Sequence, residues 1–275
     1  MPERILHMDN RPIGVFDSGL GGMTVLSELK RIMPSEDIIY FGDSGRAPYG
    51  TKSRETVIKY TFQDINFLLE NNIKMIVIAC NTASACSMKA VTEHFTIPVT
   101  EVVKPGAGVA VKLTRNGRIG VIGTPATVES RIYESAIKAD MPDAVCFGIA
   151  CPMFVPLVEE GWWDNEISEM IARKYLTLLK ADNIDTLILG CTHYPLLHTV
   201  ISKVMGNNVT LINSALEVAK AVKTMVDKMQ LANGSERRGT VRFYTSDSIE
   251  KFKSLGSMIL QDKMDFVEKV DIERY

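Results

Sequence analysis

The chain has 275 residues, of which 46% are hydrophobic and 23% charged, and its formal net charge is −2. That length allows one large domain or two of ordinary size. The charge balance gives no basic surface for nucleic acid or for an anionic membrane, and no apolar run approaches the roughly 18 residues of a membrane-spanning helix. Residues 1–10 lack the apolar core of a signal peptide, so we predict a cytoplasmic protein.

The first hundred residues alternate between predicted strands and predicted helices. Short apolar runs bounded by small polar residues are typical of buried parallel strands, and apolar residues at helical spacing indicate amphipathic helices. Two glycine-containing loops, 17–22 and 42–50, interrupt the alternation. The predicted strands are 11–17, 37–41, 75–79 and 97–103, and the predicted helices are 23–33, 51–70 and a helix that ends at Phe95.

Residues 105–108, Pro-Gly-Ala-Gly, are predicted to be a hinge or a domain boundary. Beyond them the order of elements starts again, with a strand, a turn that contains Gly123 and Pro125, and a helix. The predicted elements of this part are strands at 118–122, 144–150, 186–190, 209–212 and 240–245, helices at 127–139, 165–180 and 215–229, a linker at 233–235 and a terminal helix.

Strands that alternate with helices specify an α/β fold with mostly parallel sheets and right-handed connections. The strand and glycine turn at 14–22 recur at 120–127, and a strand that ends in cysteine occurs at Cys80 and again at Cys191, 111 positions later. We therefore predict two pseudo-symmetric α/β domains, 1–104 with 214–275 and 105–213. Ligands of such sheets bind beyond the carboxyl ends of the strands, which predicts an active site in the cleft between the domains.

Two of the five cysteines stand in matching contexts. Cys80 and Cys191 each follow an apolar strand and precede polar residues that lead toward a helix. A helix N-terminus lowers the pKa of a nearby thiol and offers N–H groups to a carboxylate. The odd number of cysteines and the lack of Cys-x-x-Cys spacing disfavour a disulfide scaffold. We expect Cys86 and Cys146 to be packing residues, and Cys151 is the one rival for a reactive role.

Two bases on opposite faces of one carbon suit the inversion of a stereocentre. One base removes the proton, the other delivers a proton to the far face, and the carbanion-like transition state needs donors around the substrate carboxylate. Asp17 can accept from a substrate ammonium or assist a thiol, and His193 can polarise Cys191. The short polar groups placed to bind substrate are Ser18, Asn81, Thr82, Thr124 and Thr192.

Other readings of these motifs are weaker. The glycines after Asp17 match neither a dinucleotide fingerprint nor a Walker loop. Cys191 and His193 can form a metal pair, but further clustered ligands are missing from the sequence nearby. Asp43 can equally serve only to satisfy backbone donors in its loop. We therefore predict no metal and no nucleotide cofactor.

Six stretches together resemble the glutamate racemases of the cofactor-independent aspartate/glutamate racemase superfamily. They lie in the family's order between residues 14 and 195, and the rest of the chain also fits. The stretches are 14–22 (GVFDSGLGG), 40–43 (YFGD), 48–50 (PYG), 79–84 (ACNTAS), 155–159 (VPLVE) and 190–195 (GCTHYP).

The resemblance implies a racemase that uses neither pyridoxal phosphate nor a metal and supplies D-glutamate for peptidoglycan. The family's two bases fall on Cys80, which acts on D-glutamate, and on Cys191, which acts on L-glutamate. The assisting acid and histidine fall on Asp17 and His193, and a further acid on Glu159, with Glu160 as the neighbouring alternative. A homodimer is implied. The implied substrate contacts are Asp17, Ser18, Pro48, Tyr49, Gly50, Asn81, Thr82, Thr124, Thr192 and His193.

Two other classes of function compete with this reading. Within the superfamily, an aspartate or hydantoin racemase is possible, whereas a one-cysteine decarboxylase is disfavoured because both cysteines are present. Outside it, the cleft can belong to a protein that senses an amino acid or acts on a partner such as DNA gyrase. The charge balance gives no support to that last role.

Overall fold

A computed structural model describes residues 8–275 and confirms the predicted α/β class. The strands are β1 Ile13–Asp17, β2 Ile38–Gly42, β3 Met75–Ile78, β4 Val99–Glu101, β5 Arg118–Gly123, β6 Val145–Ala150, β7 Thr186–Gly190, β8 Thr210–Asn213, β9 Val241–Thr245 and β10 Val267–Lys269. The helices are α1 Met23–Ile32, α2 Arg54–Glu70, α3 Asn81–His94, α4 Val103–Leu113, α5 Pro125–Glu129, α6 Ile132–Asp140, α7 Phe154–Glu159, α8 Glu166–Ala181, α9 His198–Met205, α10 Ser214–Met229 and α11 Ile249–Leu260.

The strands form two sheets in which the neighbours pair in parallel. In the first sheet β1 lies between β2 and β3, with β4 outside β3 and with β9 and β10 outside β2. In the second sheet β5 lies between β6 and β7, with β8 outside β7. Four strands of each sheet thus share one order, so β3 is equivalent to β7. Both of these strands are buried along their whole length because each has neighbours on both sides and helices packed on its faces.

The apolar core is continuous between the sheets. One cluster joins Val15 and Met75 of the first sheet to Val121 and Ile188 of the second, and helix α10 contributes Val218 to it. Helix α10 packs against α1 and α4, and α4 packs against β7 and β8. These two helices therefore connect the sheets and fix the positions of the strand ends that carry the polar motifs.

The strands of the first sheet come from 13–101 and 241–269, and those of the second from 118–213. The finer domain division, 1–104 with 214–275 and 105–213, stays a prediction. Its first seven residues lie outside the part of the chain that the structure describes, as does most of the segment on which the signal-peptide argument rests.

The prediction of a hinge at 105–108 is wrong. These residues lie inside α4, which begins at Val103. Pro105 is in the first turn, where a proline removes no helical hydrogen bond. Gly106 lets the helix approach α10, because a Cβ at that position would lie 3.2 Å from the Ser214 hydroxyl. Proline and glycine thus mark a closely packed helix start.

Several other boundaries differ from the prediction for local reasons. The helix predicted over 127–139 is two helices, α5 and α6, separated at Arg131, whose φ of 53° is left-handed. Helix α2 begins three residues later than predicted because Ser53 caps it by accepting the Thr56 N–H. Segment 151–161 contains α7, and the terminal helix is followed by β10 and a 3₁₀ turn, Ile272–Arg274. In residues 8–275, no helix combines the length and apolar character needed to cross a bilayer.

Candidate active site

Residues from the carboxyl ends of both sheets meet around one cavity of about 30 Å³, here called the inner cavity. The predicted catalytic and substrate-binding residues line it, with the exception of Asp17, which lies directly behind Thr192. The cavity is lined by Ser18, Gly19, Ala47, Pro48, Tyr49, Gly50, Cys80, Asn81, Thr82, Thr124, Val155, Glu159, Cys191, Thr192 and His193.

Cys80 follows β3 and caps α3. Its sulfur accepts the Ala83 N–H at 3.4 Å and lies 3.5 Å from the Ser18 hydroxyl. The helix N-terminus acts on this thiol in the predicted direction through the Ala83 N–H, but other causes outweigh it and the net shift is upward. Burial, and after it the negative charge of Asp17, raise the pKa of Cys80 to about 12, and the contacts with Ser18 and Ala83 offset this only in part. Cys80 is therefore protonated at neutral pH in this state.

Cys191 follows β7, the strand equivalent to β3, but its surroundings differ. The predicted helix does not start directly after it: a 3₁₀ turn, Tyr194–Leu197, comes first and α9 follows. The Cys191 sulfur lies 3.8 Å from Nδ1 of His193. This thiol therefore faces an imidazole at close range rather than the N-terminus of a long helix.

His193 is buried and stands between Cys191 and Glu159. Its Nε2 lies 3.5 Å from Oε1 of Glu159 in an ion pair and makes no hydrogen bond within the described residues. Burial acts to lower the pKa of His193, but the contact with Cys191, the Glu159 carboxylate and the charge of Asp17 outweigh it and raise the pKa to about 10. The imidazolium in turn lowers the pKa of Glu159. His193 is thus a cation at neutral pH, which stabilises negative charge on the Cys191 sulfur.

This geometry distinguishes Glu159 from Glu160. Only Glu159 reaches His193, whereas Glu160 is exposed at the cavity's entrance. The last residue of α7 therefore points its carboxylate inward. The adjacent acid faces solvent.

Asp17 ends β1 and connects the two cysteine regions. One carboxylate oxygen accepts the Gly19 N–H at 3.0 Å, and the other accepts the Thr192 hydroxyl at 3.3 Å. Burial raises the pKa of Asp17, and the charge of His193 partly opposes that rise. The carboxylate therefore lies within electrostatic range of both Cys80 and His193.

A cluster of hydroxyl and amide groups forms one wall of the inner cavity. The Thr82 and Thr124 hydroxyls are 2.9 Å apart, and Thr127 lies 3.0 Å from Thr124. Asn81 donates its amide N–H to the Tyr133 hydroxyl at 2.7 Å, which leaves its carbonyl oxygen unpartnered and buried within the described residues. These groups belong to α3 and to the start of α5, so they come from both halves of the molecule.

Two glycines allow the halves to approach. A Cβ on Gly21 would collide with the Thr192 and His193 side chains, and a Cβ on Gly50 would lie 2.5 Å from Cβ of Thr124. In addition, the Thr24 hydroxyl donates to the Thr192 carbonyl at 3.1 Å. The glycine runs of the sequence are therefore needed for close backbone contact across the cleft rather than for binding a phosphate.

Comparison with known proteins assigns the family. Residues 21–222 match the family model of Asp/Glu/hydantoin racemases. The glutamate racemase of Geobacter metallireducens is 46% identical over 263 residues, which cover 96% of this chain and 97% of that protein. The chain belongs to the glutamate racemase family.

Solved structures of this family agree with the fold. The chain matches glutamate racemase isoform RacE1 from Bacillus anthracis with a TM-score of 0.93 and 39% identity, over 96% of this chain and 98% of the other. It matches the Francisella tularensis glutamate racemase, solved in complex with D-glutamate, with a TM-score of 0.92 and 42% identity, over 97% and 100% of the two chains. Like its family, this chain is an isomerase.

The inner cavity of this racemase opens to a larger space of about 420 Å³, here called the vestibule. Gly19, Pro48, Thr124 and Glu159 line both spaces. The start of α11 borders the vestibule with Asp247, Ser248, Lys251 and Phe252. The vestibule gives the inner cavity its route to solvent.

Some neighbours of the site were not predicted from the sequence. Thr127 and Tyr133 hold Thr124 and Asn81, and Asp64 contacts both Tyr49 and Arg46 of the loop 42–50. A threonine three positions after Thr124 is a weak helix-cap signal, but nothing local links Asp64 to a loop fifteen residues earlier.

Cys86 and Cys146 pack as expected, and Cys151, the rival for a reactive role, does not line the inner cavity. Cys86 and Cys151 belong to apolar clusters, and Cys146 is half-buried on β6. In the part of the chain that the structure describes, no group of three or more His, Cys, Asp or Glu side chains is arranged to hold a metal ion.

Proposed function

We propose that this chain interconverts L- and D-glutamate with Cys80 and Cys191 as its two bases. The observation that carries the proposal is that two thiols at equivalent strand ends line one cavity and are held in different electrostatic surroundings. Inversion needs one base that is ready to accept a proton and an acid on the opposite face that is ready to give one. Cys191 beside the His193 cation and the protonated Cys80 fit these two roles.

In the L-to-D direction, Cys191 begins as a thiolate paired with the His193 imidazolium. The sulfur takes the α-proton and becomes a thiol, and the electron pair of the broken C–H bond passes into the substrate carboxylate. Cys80 then delivers its own proton to the opposite face of the α-carbon and becomes the thiolate. The substrate gains one proton and loses one, so inversion is its only net change.

The D-to-L direction starts with Cys80 as the base. Burial and Asp17 disfavour its thiolate, and Ser18 and the Ala83 N–H favour it. Asp17, whose pKa is raised, is the nearby group that can accept the proton of Cys80 or the charge of the substrate ammonium. Asp17 can therefore either bind the substrate ammonium or accept the proton that leaves Cys80.

The substrate carboxylate lies, in this proposal, beside the start of α3. The N–H groups at the start of that helix and the Thr82 and Thr124 hydroxyls form a set of donors fixed before the reaction. Such donors stabilise the charge that develops on the carboxylate as the α-proton leaves. Thr192 and the loop Pro48–Gly50 bound the remaining substrate atoms.

Glutamate binding requires the inner cavity to widen. A space of about 30 Å³ holds little more than one water-sized molecule. The vestibule, which shares walls with it, is large enough to admit an amino acid. We infer that the two halves separate slightly to accept glutamate and then close around it.

Glutamate is the proposed substrate because the Francisella relative was solved with D-glutamate and the curated relatives are glutamate racemases. We propose further that the product supplies peptidoglycan synthesis in the cytoplasm, that the protein forms a homodimer, and that it uses no pyridoxal phosphate or metal. Each of these points rests on the family resemblance.

Circular dichroism of L-glutamate, followed to equilibrium with the pure protein and no added cofactor, tests the proposal. We expect the signal to decay to zero as the two enantiomers equalise, and to decay at the same rate after dialysis against a metal chelator. L-Aspartate serves as the matched control and should decay much more slowly. A stable glutamate signal would contradict racemase activity, and faster decay of aspartate would change the substrate.

A further inference from the structure

A buried polar cluster lies beneath the loop Pro48–Gly50, outside the catalytic groups. Asp43 follows β2 and Asp64 lies in the middle of α2, and both side chains are fully buried. Arg46 stands between them: its Nε lies 2.6 Å from Oδ2 of Asp43, and its Nη2 lies 2.9 Å from Oδ1 of Asp64. Two buried carboxyl groups therefore face one largely buried cation.

The Tyr49 hydroxyl contacts both carboxylates. It lies 2.9 Å from Oδ2 of Asp64 and hydrogen-bonds Oδ2 of Asp43. A phenol has one proton and can donate only once. One of the two contacts must therefore receive its proton from a carboxylic acid, because two ionised carboxylates cannot both be satisfied by a single hydroxyl proton.

The other donors identify which carboxyl group is protonated. Asp43 accepts from Arg46, and its Oδ1 also accepts the Ser246 hydroxyl at 2.7 Å. Asp64 accepts only from Nη2 of Arg46, at Oδ1, and its Oδ2 has no neighbour among the described hydrogen bonds except Tyr49. Asp43 has donors for an anion on both oxygens, whereas Asp64 has an oxygen free to carry a proton.

We propose that Asp64 is a neutral acid that donates its proton to Tyr49, and that Tyr49 donates to the ionised Asp43. This series of hydrogen bonds positions the substrate-binding loop Pro48–Gly50. Asp64, Asp43 and Arg46 are then positioning residues, since none of them lines the inner cavity. The link to substrate rests on the proposed function, whereas the location of the proton does not.

The electrostatics of the cluster agree with the hydrogen-bond count. Burial, and after it the charge of Asp43, raise the pKa of Asp64 well above its usual range, although Arg46 and Tyr49 oppose the rise. With Asp64 neutral, the buried charges are one cation, Arg46, and one anion, Asp43. The remaining charged neighbour, Glu273, approaches Arg46 at 3.3 Å from an exposed position.

The cluster acts on the site through the backbone of the loop. Tyr49 is fixed at its hydroxyl by the two acids, and its ring packs against Tyr60, over which Arg46 also stacks at 4.1 Å. The next residue, Gly50, touches Thr124 across the cleft. Loss of these hydrogen bonds would free this wall of the cavity to move. Substrate binding would then weaken more than proton transfer would slow.

Paired amide substitutions test the assignment. An amide matches a neutral acid in shape and keeps one donor and one acceptor, so Asp64→Asn should leave KM and kcat within about threefold of wild type. Asp43→Asn makes the same chemical change in the ionised partner and should raise KM about tenfold or more, with a smaller change in kcat. Equal damage from both, or greater damage from Asp64→Asn, would overturn the assignment.

Infrared spectroscopy reads the proton without turnover. With ¹³C-labelled aspartate at about pH 8, far above the usual aspartate pKa of about 3.9, the wild-type protein should show a carbonyl band of a protonated acid that is missing from Asp64→Asn. Any band from Asp17, whose pKa is also raised, stays in that variant. If Asp64→Asn does not fold, Tyr49→Phe replaces it and should shift that band, because the acceptor is removed. If no wild-type band is lost in Asp64→Asn or shifted in Tyr49→Phe, the proposal is overturned even if the protein racemises glutamate.

Discussion

The surroundings of Cys80 and Cys191 are equivalent in topology and different in electrostatics. Each cysteine follows the strand beside the central strand of its sheet. Cys80 then caps a fourteen-residue helix and lies near the buried Asp17, whereas Cys191 precedes a 3₁₀ turn and lies 3.8 Å from the His193 ring. The two halves of the repeat therefore place their thiols at equivalent positions but surround them with different side chains.

This difference shows how a symmetric reaction can be run by an asymmetric site. The enantiomers of glutamate have equal free energy, so kcat/KM must be equal in the two directions for this protein and for every variant. The asymmetry instead gives the two thiols different partners, a buried carboxyl group near Cys80 and an imidazolium beside Cys191. Substitutions that change one thiol environment but not the other can test whether the two regions carry the roles proposed for them.

The largest effect is expected from removal of either thiol. Cys80→Ser and Cys191→Ser should each lower racemisation by about 10³-fold or more, because a hydroxyl is a far weaker base than a thiolate. Each variant should still bind glutamate. Circular dichroism measures the activity, and calorimetry with glutamate measures the binding.

Isotope exchange distinguishes the two cysteine variants. In D₂O, Cys80→Ser should exchange the α-proton of L-glutamate without inversion, and Cys191→Ser should exchange that of D-glutamate. Cys86→Ser is the matched control, since that cysteine is buried in an apolar cluster away from the cavity. The reversed pattern would show that Cys80 acts on L-glutamate and Cys191 on D-glutamate. Wild-type racemisation rates in both variants would contradict the two-thiol mechanism.

The next effect concerns the cation that distinguishes the Cys191 side. His193→Asn should lower kcat/KM by about 10²-fold, within the range for loss of a proton-transfer partner, and equally in both directions. Alkylation of Cys191 at neutral pH should slow as well, because the imidazolium no longer stabilises the thiolate. Peptide mass spectrometry after timed alkylation measures each cysteine separately. A parallel loss of Cys80 reactivity would show that the two regions are not independent.

The parallel strands, the repeat and the two cysteines at the strand ends were predictable because their signals are local, whereas the loop Pro48–Gly50 and Glu159 were predicted only from the family resemblance. Short apolar runs that end in Cys80 and Cys191 indicate buried strands, and parallel neighbours bring their ends together. The family match extends that reasoning to nearly the whole chain.

What failed depends on contacts that are distant in sequence. Pro105 and Gly106 look like a hinge until Ser214 is known to pack against Gly106. The raised pKa of Cys80 depends on its burial and on Asp17, 63 positions earlier, so the strand–cysteine–helix pattern alone gives the wrong sign. Likewise, the proton assigned to Asp64 follows from Arg46 and Tyr49, which lie 18 and 15 positions earlier, outside α2.

A smaller effect should separate the two adjacent acids. Glu159→Gln removes the carboxylate that helps to raise the pKa of His193 to about 10. The pKa of the histidine should therefore fall, and the alkaline limb of the kcat/KM profile should move to lower pH, with a loss of about tenfold at the optimum. Glu160→Gln is the matched control and should leave the profile in place. A shift in the control alone would assign the acidic role to Glu160.

The smallest effect concerns the Cys80 side. Ser18 lies 3.5 Å from the Cys80 sulfur and favours its thiolate. Ser18→Ala should therefore raise the pKa of Cys80 further above about 12, slow its alkylation at alkaline pH and lower kcat/KM about threefold. Cys191 alkylation should not change, and the exposed Ser254→Ala substitution should change neither. Ser18→Ala is expected to affect Cys80, and His193→Asn is expected to affect Cys191. Slowed alkylation of Cys191 in Ser18→Ala would therefore contradict the proposal that the two thiols have separate electrostatic environments.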